Sequence, residues 1–169
     1  MPHPNESALF GLLTAQGISH ETHEHPPIFT VEEGKDFKEG LPGGHTKNLF
    51  LKDKAGQLVL ICALADTSVR LNKLHKVLDT KRLSFGPEDA LWECLGVRPG
   101  SVTLFSVLND KKGKVRLVLD KALFGPKQVW FHPMRNTAST TISSGDILQF
   151  CEAAGHHPTI IDFAELSQS

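Results

Sequence analysis

The sequence predicts an α+β fold: a single domain with a mixed, mainly antiparallel, barrel-like sheet and surrounding helices. Two patterns typical of β-hairpins, with amphipathic helices inserted between the strands, lead to this prediction. A doubly wound parallel fold fits less well, because hairpins interrupt any series of crossover helices. With 169 residues, of which 40% are hydrophobic, the chain can bury its own core, so we expect residues 1–169 to form one domain.

Capping residues and alternating patterns divide the chain into helices and strands. Helical patterns bounded by capping residues or glycine stops occur at residues 5–17, 30–37, 68–78, 87–96 and 144–155. Extended patterns occur at residues 18–25, 48–53, 57–64, 102–108, 114–119, 128–131, 140–142 and 159–163. The short polar turns after residues 53 and 108 predict two hairpins, 48–53 with 57–64 and 102–108 with 114–119.

Charge and composition exclude several classes of protein. The formal net charge of −1 argues against a protein that coats nucleic acid non-specifically. No apolar run approaches the length of a membrane span and the N-terminus lacks a signal pattern, so we expect no membrane partner. Cys62, Cys94 and Cys151 lie far apart in apolar runs, which indicates buried thiols in a reducing compartment, with the cytoplasm as the expected location.

The sequence contains no standard catalytic motif. A nucleophile elbow, a P-loop and a dinucleotide-binding loop are all absent, and three buried cysteines do not suggest a thiolate nucleophile. His20, His23 and His25 form the sharpest candidate for a metal site, and His23 and His25 would share one face of a strand. No carboxylate or cysteine completes a ligand set with familiar spacing, so we predict no metal and no cofactor.

Two glycine-containing loops are candidates for binding. Lys47 lies where a Gly-Gly loop enters a strand, so its ammonium is either a partner for a phosphate or carbonyl group or an exposed strand-edge charge. Residues 96–101 place two glycines around a proline, which allows tight turns whose backbone N–H groups can hold an anion or an oxyanion. The alternative for that loop is a helix stop followed by an ordinary turn.

A third loop and a basic segment are the remaining candidates. His132 lies at a strand end, with Asn136 and Thr137 as neutral hydrogen-bonding neighbours, and it suits a structural role as well as a binding role. Residues 70–82 carry five cations and one acid, Asp79, so they form either a patch that binds nucleic acid or a solvated helix face.

These segments, taken in order, resemble the YbaK/ProX family of prolyl-tRNA editing domains, and within it the free-standing Ala-tRNA(Pro) deacylases. The resemblance is carried by Thr30-Val31-Glu32-Glu33, by the run from His45 to Leu51, by Gly96-Val97-Arg98-Pro99-Gly100-Ser101-Val102, and by Phe131-His132-Pro133 with Asn136 and Thr137. It covers about residues 20–163. The lysine segment and the Gly-x-x-Pro-Gly loop are specific together and weak apart.

The resemblance implies an α/β domain that hydrolyses the ester joining a wrong amino acid to tRNA(Pro), without a metal. It implies that Lys47 is the central residue of the site, that residues 96–101 cradle the ester, and that His132 lies near the terminal adenosine. The expected catalytic set is Lys47, Gly100 and Ser101. The expected substrate-binding set is Ile28, Phe29, Thr30, Val31, Asn48, Phe50, Gly96, Val97, Pro99, His132, Asn136 and Thr137. Lys81 and Arg82 are the expected contacts to the acceptor stem.

The resemblance leaves the exact activity open. Alanine is the expected cargo, because a second site that admits alanine and excludes proline by size complements a synthetase that cannot reject a smaller amino acid. A Cys-tRNA(Pro) deacylase and a non-catalytic tRNA-binding module of the same fold are the alternatives. The implied partner is tRNA(Pro) carrying alanine, with transient contact to prolyl-tRNA synthetase or an elongation factor also open.

Overall fold

The computed structural model of this chain describes residues 4–26 and 43–168. In these ranges the helices are α1 (Pro4–Ala15), α2 (Leu71–Leu78), α3 (Glu88–Leu95), α4 (Ile147–Ala153) and α5 (Phe163–Gln168). The strands are β1 (His20–Glu24), β2 (Gly44–Asp53), β3 (Leu58–Leu64), β4 (Leu83–Phe85), β5 (Val115–Asp120), β6 (Gln128–Phe131), β7 (Ala138–Ser143) and β8 (Thr159–Ile161). Short 3₁₀ segments cover Leu104–Asn109, Lys121–Phe124 and Ser144–Asp146.

The strands form one mixed sheet in the order β1-β7-β6-β2-β3-β5-β8, with β4 beside β2. Four of the strand pairings are antiparallel and three are parallel. The predicted α+β class and mixed sheet are therefore confirmed. In the part of the chain that the structure describes, β1 and β8 lie at opposite ends of the order and do not pair, so the sheet is open and "barrel-like" describes it only loosely.

Side chains alternate along β2 between two apolar clusters on the two faces of the sheet. Phe50 belongs to the larger cluster, which α1, α3 and α4 cover. Leu51 belongs to the smaller cluster, which α2 and α5 cover through side chains such as Leu74 and Phe163. This period-two alternation assigns every β2 residue to one face or the other.

The first predicted hairpin is confirmed and the second is wrong. Strands β2 and β3 pair antiparallel from Thr46 with Leu64 to Lys52 with Leu58. Residues 104–109 instead form a 3₁₀ segment, whose start is capped by the Thr103 side chain accepting from the Phe105 N–H. Strand β5 lies between β3 and β8 and is parallel to both, so it forms no hairpin.

The C-terminal part of the chain differs from the prediction. The expected last strand, residues 159–163, is shorter than predicted, because Phe163 begins α5 and packs into the smaller cluster. The predicted helix over residues 30–37 lies outside the described residues. Among the described residues, no helix combines the length and hydrophobicity needed to cross a membrane.

The sheet has a gap along one edge of β2. On that edge β2 pairs with β6 at Gly44 and His45, and with β4 only from Leu51 onward. Residues 46–50 therefore face the space between the end of β6 and the start of the β4 pairing, and we call this space the sheet gap. Its far boundary is fixed by Gly86, whose N–H donates to the Phe50 carbonyl at 2.9 Å.

Candidate active site

Lys47 lies on β2 at the sheet gap. Its side chain is half-buried and points to the same face as His45 and Leu49, because these residues alternate with Thr46 and Asn48. The residue paired with it on β3 is Ala63, which is too small to cover a long side chain. The Lys47 side chain makes no hydrogen bond or ion pair with any residue in the ranges 4–26 and 43–168. Its charge is thus available for a ligand.

His132 follows β6 directly and comes to the same part of the sheet. His45 pairs with Trp130 in parallel register, so Lys47 and His132 each lie two residues beyond that pair, where β2 and β6 separate. The Nδ1 atom of His132 is 3.1 Å from the Ala138 carbonyl oxygen, to which it donates. The ring of His25 lies beside it, with the ring centroids 6.3 Å apart. The histidine is therefore held by the start of β7 and by the residue that follows β1.

Asn48 points to the opposite face from Lys47 and carries an unusual polar atom. Its Oδ1 is buried and has no hydrogen-bond partner among the described residues. Buried polar atoms are nearly always paired, so an oxygen without a partner among the described residues makes Asn48 a candidate binding residue. The Phe50 carbonyl accepts from Gly86, and the backbone of Asn48, two residues earlier, points toward the same edge and into the sheet gap.

The loop at residues 96–101 is a helix stop followed by a tight turn. Gly96 ends α3 with a φ of 66°, and Val97 is buried in the larger cluster. The Ser101 N–H donates to the Arg98 carbonyl at 3.0 Å, with Gly100 between them at a φ of 91°. A proline followed by a residue of positive φ is the geometry of a type II turn, which favours glycine at that position.

This turn decides which groups of the loop are available. The Ser101 N–H is used within the turn, so Ser101 can act on a ligand through its hydroxyl. Pro99 and Gly100 are exposed and Ser101 is half-buried. In the described part of the chain no hydrogen bond joins this loop to Lys47, so the structure does not by itself bring the two predicted elements into contact.

The loop at residues 131–137 is held by an ion-pair network around Arg135. The Arg135 Nε donates to both carboxylate oxygens of Glu6 at 3.1 Å, and its terminal nitrogens donate to Glu24 and Thr137, both at 2.8 Å. Burial alone would lower the pKa of Arg135, but the hydrogen bonds and charges of Glu24 and Glu6 outweigh it and raise that pKa. Asn136 and Thr137, both half-buried, follow this anchor directly.

Sequence reasoning did not find the Arg135 network. Glu6 lies 129 residues from Arg135 along the chain and Glu24 lies 111 residues away. Neither glutamate belongs to a motif, so no local pattern pointed to either partner. For His25 a signal did exist, since strand alternation predicted that it shares a face with His23.

The remaining predicted residues lie in three places. Phe50 is only 5% exposed and packs in the larger cluster, with Gly86 so close that an added Cβ would be 2.5 Å from its ring. Lys81 and Arg82 are exposed near the far end of β2, where the Lys81 N–H donates to Asp53 at 3.0 Å. That end is about 20 Å from Lys47 along the strand. Four predicted pocket residues lie outside the described residues: Ile28, Phe29, Thr30 and Val31.

The described residues include no group of three or more histidine, cysteine, aspartate or glutamate side chains arranged to hold a metal ion.

Comparison with known proteins places this arrangement in a class of aminoacyl-tRNA editing proteins. The family model described as "Aminoacyl-tRNA editing domain" matches residues 25–150, which is most of the chain. The chain belongs to this family. The match spans Lys47, Asn48, the loop at 96–101 and His132 together.

Individual relatives agree with the family. The chain is 42% identical over 156 residues to "Prolyl-tRNA synthetase associated domain-containing protein 1" of Mus musculus, covering 89% of this chain and 92% of that protein. It is 34% identical over 152 residues to "Prolyl-tRNA editing protein ProX" of Acetoanaerobium sticklandii, covering 89% and 93%. The fold is shared with the crystal structure of a candidate trans-editing enzyme for prolyl tRNA synthetase, with a TM-score of 0.70 and 17% identity over 96% of this chain and 98% of that one.

Proposed function

We propose that this protein is a trans-editing deacylase that hydrolyses the ester of mischarged Ala-tRNA(Pro). The observation that carries the proposal is the sheet gap. There, a lysine whose side chain has no hydrogen-bond or ion-pair partner among the described residues precedes an asparagine whose buried Oδ1 has none among them either, in a chain of the aminoacyl-tRNA editing family. The names of the mouse and A. sticklandii relatives support prolyl-tRNA as the class of substrate.

The proposed reaction is addition of water to an already activated ester. Water attacks the aminoacyl carbonyl, and the tetrahedral oxyanion that forms collapses by breaking the bond to the ribose oxygen. That oxygen takes a proton, leaving free amino acid and tRNA with an intact 3′ end. Such a reaction needs placement of water and stabilisation of the oxyanion more than it needs a strong base. The neighbouring ribose hydroxyl would orient the water.

Each residue then has a defined role. Lys47 anchors the terminal nucleotide and stabilises developing negative charge. The Gly100 N–H and the Ser101 hydroxyl act on the oxyanion, since the Ser101 N–H is committed to the turn. The Asn48 Oδ1 accepts a hydrogen bond from the substrate, and His132 forms the wall nearest the adenosine. Asn136 and Thr137 complete that wall, while Gly96 and Pro99 shape the loop.

Selectivity for alanine would come from the size of the pocket. A prolyl site cannot strongly reject a smaller amino acid, because a missing methylene removes only about 1–3 kcal/mol of binding. An editing pocket that excludes proline by size corrects such errors. We assign its wall to Ile28, Phe29, Thr30 and Val31, together with Phe50 and Val97, which belong to the larger cluster.

The proposed partner is tRNA(Pro) carrying alanine, and the name of the mouse relative supports transient association with prolyl-tRNA synthetase. We take residues 1–169 as one editing domain, a view supported by the Arg135–Glu6 ion pair, which ties helix α1 to the proposed site. Three buried, unpaired cysteines fit a reducing compartment, and we propose the cytoplasm.

A deacylation assay with Ala-, Cys- and Pro-tRNA(Pro) under matched conditions tests the proposal. We expect hydrolysis of Ala-tRNA(Pro) well above the spontaneous rate, with Pro-tRNA(Pro) spared. Faster hydrolysis of the cysteinyl substrate would replace alanine with cysteine as the cargo. Tight binding of tRNA(Pro) with no hydrolysis of any of the three would show a non-catalytic module and overturn the proposal.

A further inference from the structure

A second concave site lies on the sheet face that carries Lys47. This groove has a volume of about 460 Å³ and is formed by β1, β7 and β6. Its lining in the described part of the chain includes Glu21, His23, Gln128, Trp130, Thr141 and Ser143. A volume of this size accommodates a nucleobase with its sugar. None of the roles assigned under the proposed function uses it.

Aromatic rings form one wall of the groove. The Trp130 ring is stacked against His45, with centroids 6.2 Å apart and the planes 7° from parallel. His23 meets the same indole edge-on at 5.3 Å. The His23 Nε2 lies 2.9 Å from a Glu21 carboxylate oxygen, which fixes the ring, and 39% of its side chain remains exposed. A fixed, partly exposed ring beside an indole is a platform for stacking.

Polar groups in the groove favour a neutral base edge over a phosphate. The Thr141 hydroxyl donates to the Gln128 Oε1 at 3.0 Å, which turns the amide NH₂ of Gln128 toward other partners. The described lining contains the acidic Glu21 and no lysine or arginine. A phosphate would meet a carboxylate there, whereas the acceptor atoms of a base would meet the Gln128 amide donors.

The groove is continuous with the proposed active site. His45 and Lys47 point to one face of β2, and the His45–Trp130 pair carries that face onto β6 and then to Thr141 on β7. Neighbouring strands lie about 4.8 Å apart, so β7 is about 10 Å from β2. This is the scale of one or two nucleotides leading away from an ester held at Lys47.

We propose that this groove binds the base of the nucleotide next to the acylated adenosine in the single-stranded 3′ end of the tRNA. The base stacks on His23 beside Trp130 and accepts hydrogen bonds from the Gln128 amide. This inference rests on the proposed function, since it takes the acylated adenosine to lie at Lys47.

The kinetic test compares two alanylated acceptor minihelices, one intact and one with an abasic penultimate nucleotide. We expect kcat/KM of the wild-type protein to fall about tenfold on the abasic substrate, the size expected for one lost base–aromatic contact. His23→Ala and Gln128→Glu should lose about tenfold on the intact substrate and nothing further on the abasic one. His157→Ala, a change at an exposed histidine far along the chain, is the matched control. Equal rates of the wild-type protein on both substrates would overturn the proposal.

A binding test separates failure of the groove from failure of the proposed function. The chain has two tryptophans, so Trp92→Phe leaves Trp130 as the single fluorescent reporter in the groove wall. Binding of the intact minihelix without an attached amino acid should change the fluorescence of Trp130. Its Kd should be about tenfold lower than that of the abasic minihelix. That result would support the groove even in a protein without deacylase activity. Equal Kd values would overturn the proposal that the groove binds this base. The deacylation assay would still test the proposed function independently.

Discussion

One face of the sheet has two halves that differ sharply, although a single strand runs through both. In the sealed half, Leu49 and Leu51 of β2 lie under α2 and α5 with the apolar side chains of β3 and β5. In the open half, His45 and Lys47 of the same strand lie beside the groove on β6, β7 and β1. Two residues along β2 are enough to pass from the smaller apolar cluster to the proposed catalytic lysine.

This difference shows how the proposed catalytic lysine is held rigidly on a strand. The sealed half fixes β2 by apolar burial, and the strand carries Lys47 out of that cluster into the sheet gap. A charged group on a strand is positioned more precisely than one on a flexible loop. Beside the open half, the Arg135 network ties the loop after β6 to helix α1 and to β1.

The largest effect should come from removing the ammonium group of Lys47 in the open half. Lys47→Ala should lower kcat/KM for Ala-tRNA(Pro) by about 100–1000-fold, the usual loss when one oxyanion-stabilising donor is removed. Lys52→Ala, an exposed lysine on the same strand, is the matched control and should change the rate little. Activity of Lys47→Ala within a few-fold of the wild type would contradict the assignment of the site.

The second prediction concerns the polar tie of the open half. Arg135→Ala leaves the Glu6 carboxylate, only 6% exposed, without its cation, so the free energy of unfolding should fall by about 2–3 kcal/mol. Glu24→Gln removes the 77% exposed partner and should cost less than about 1 kcal/mol. Urea unfolding measures both. Similar losses for the two variants would show that the buried pair is not the anchor.

The third prediction asks how far tRNA recognition extends past the open half. Lys81→Glu with Arg82→Glu should weaken kcat/KM on whole Ala-tRNA(Pro) about tenfold and flatten its salt dependence, since two phosphate contacts are lost. Alanyl-adenosine, which lacks the acceptor stem, should be hydrolysed at the wild-type rate. Lys111→Glu with Lys112→Glu is an exposed pair for comparison. An equal loss on both substrates would place the basic pair at the site itself.

The smallest effect should appear in the pH dependence of stability that comes from Asp53, at the end of β2 in the sealed half. Burial would raise the pKa of Asp53, but backbone N–H groups of Gln57, Lys81 and Ala55 hold it below its ordinary value of 3.8. A depressed pKa stabilises the fold above pH 4, and this contribution disappears as the pH falls through the folded-state pKa. The Tm of Asp53→Asn should therefore lie below that of the wild type at pH 7, with the gap closing toward pH 2. A gap independent of pH would exclude the charged carboxylate as its cause.

Local chemistry explains what the sequence predicted correctly about the fold. The first hairpin was predictable because the turn after β2 is encoded within a few residues, and the Asp53 side chain accepts from the N–H groups of Ala55 and Gln57. The second hairpin was predicted wrongly because a short, mostly apolar segment such as residues 102–108 suits a strand or a buried 3₁₀ segment equally. Thr103 decides between them by capping Phe105, and β5 then pairs with strands distant in the chain.

The candidate site also has one part that the sequence could predict and another part that depends on the fold. Lys47 and the turn around Gly100 belong to contiguous motifs, so a resemblance could point to them. The sheet gap could not be predicted, because it depends on where β6 and β4 stop pairing with β2. The aromatic wall of His23, Trp130 and His45 likewise combines three strands whose order only the fold determines.

The position of β2 has a consequence for motion. Among the described residues, strand β2 is hydrogen-bonded to three strands, whereas β1 at the end of the strand order pairs with β7 alone. Amide protons of β2 near Leu51 should thus exchange with solvent only through global unfolding, and those of β1 through local opening. The proposed catalytic lysine would then lie on one of the slowest-exchanging strands, whereas β1, which forms a wall of the adjoining groove, opens locally. The end of a nucleic acid could therefore enter the groove without moving the lysine.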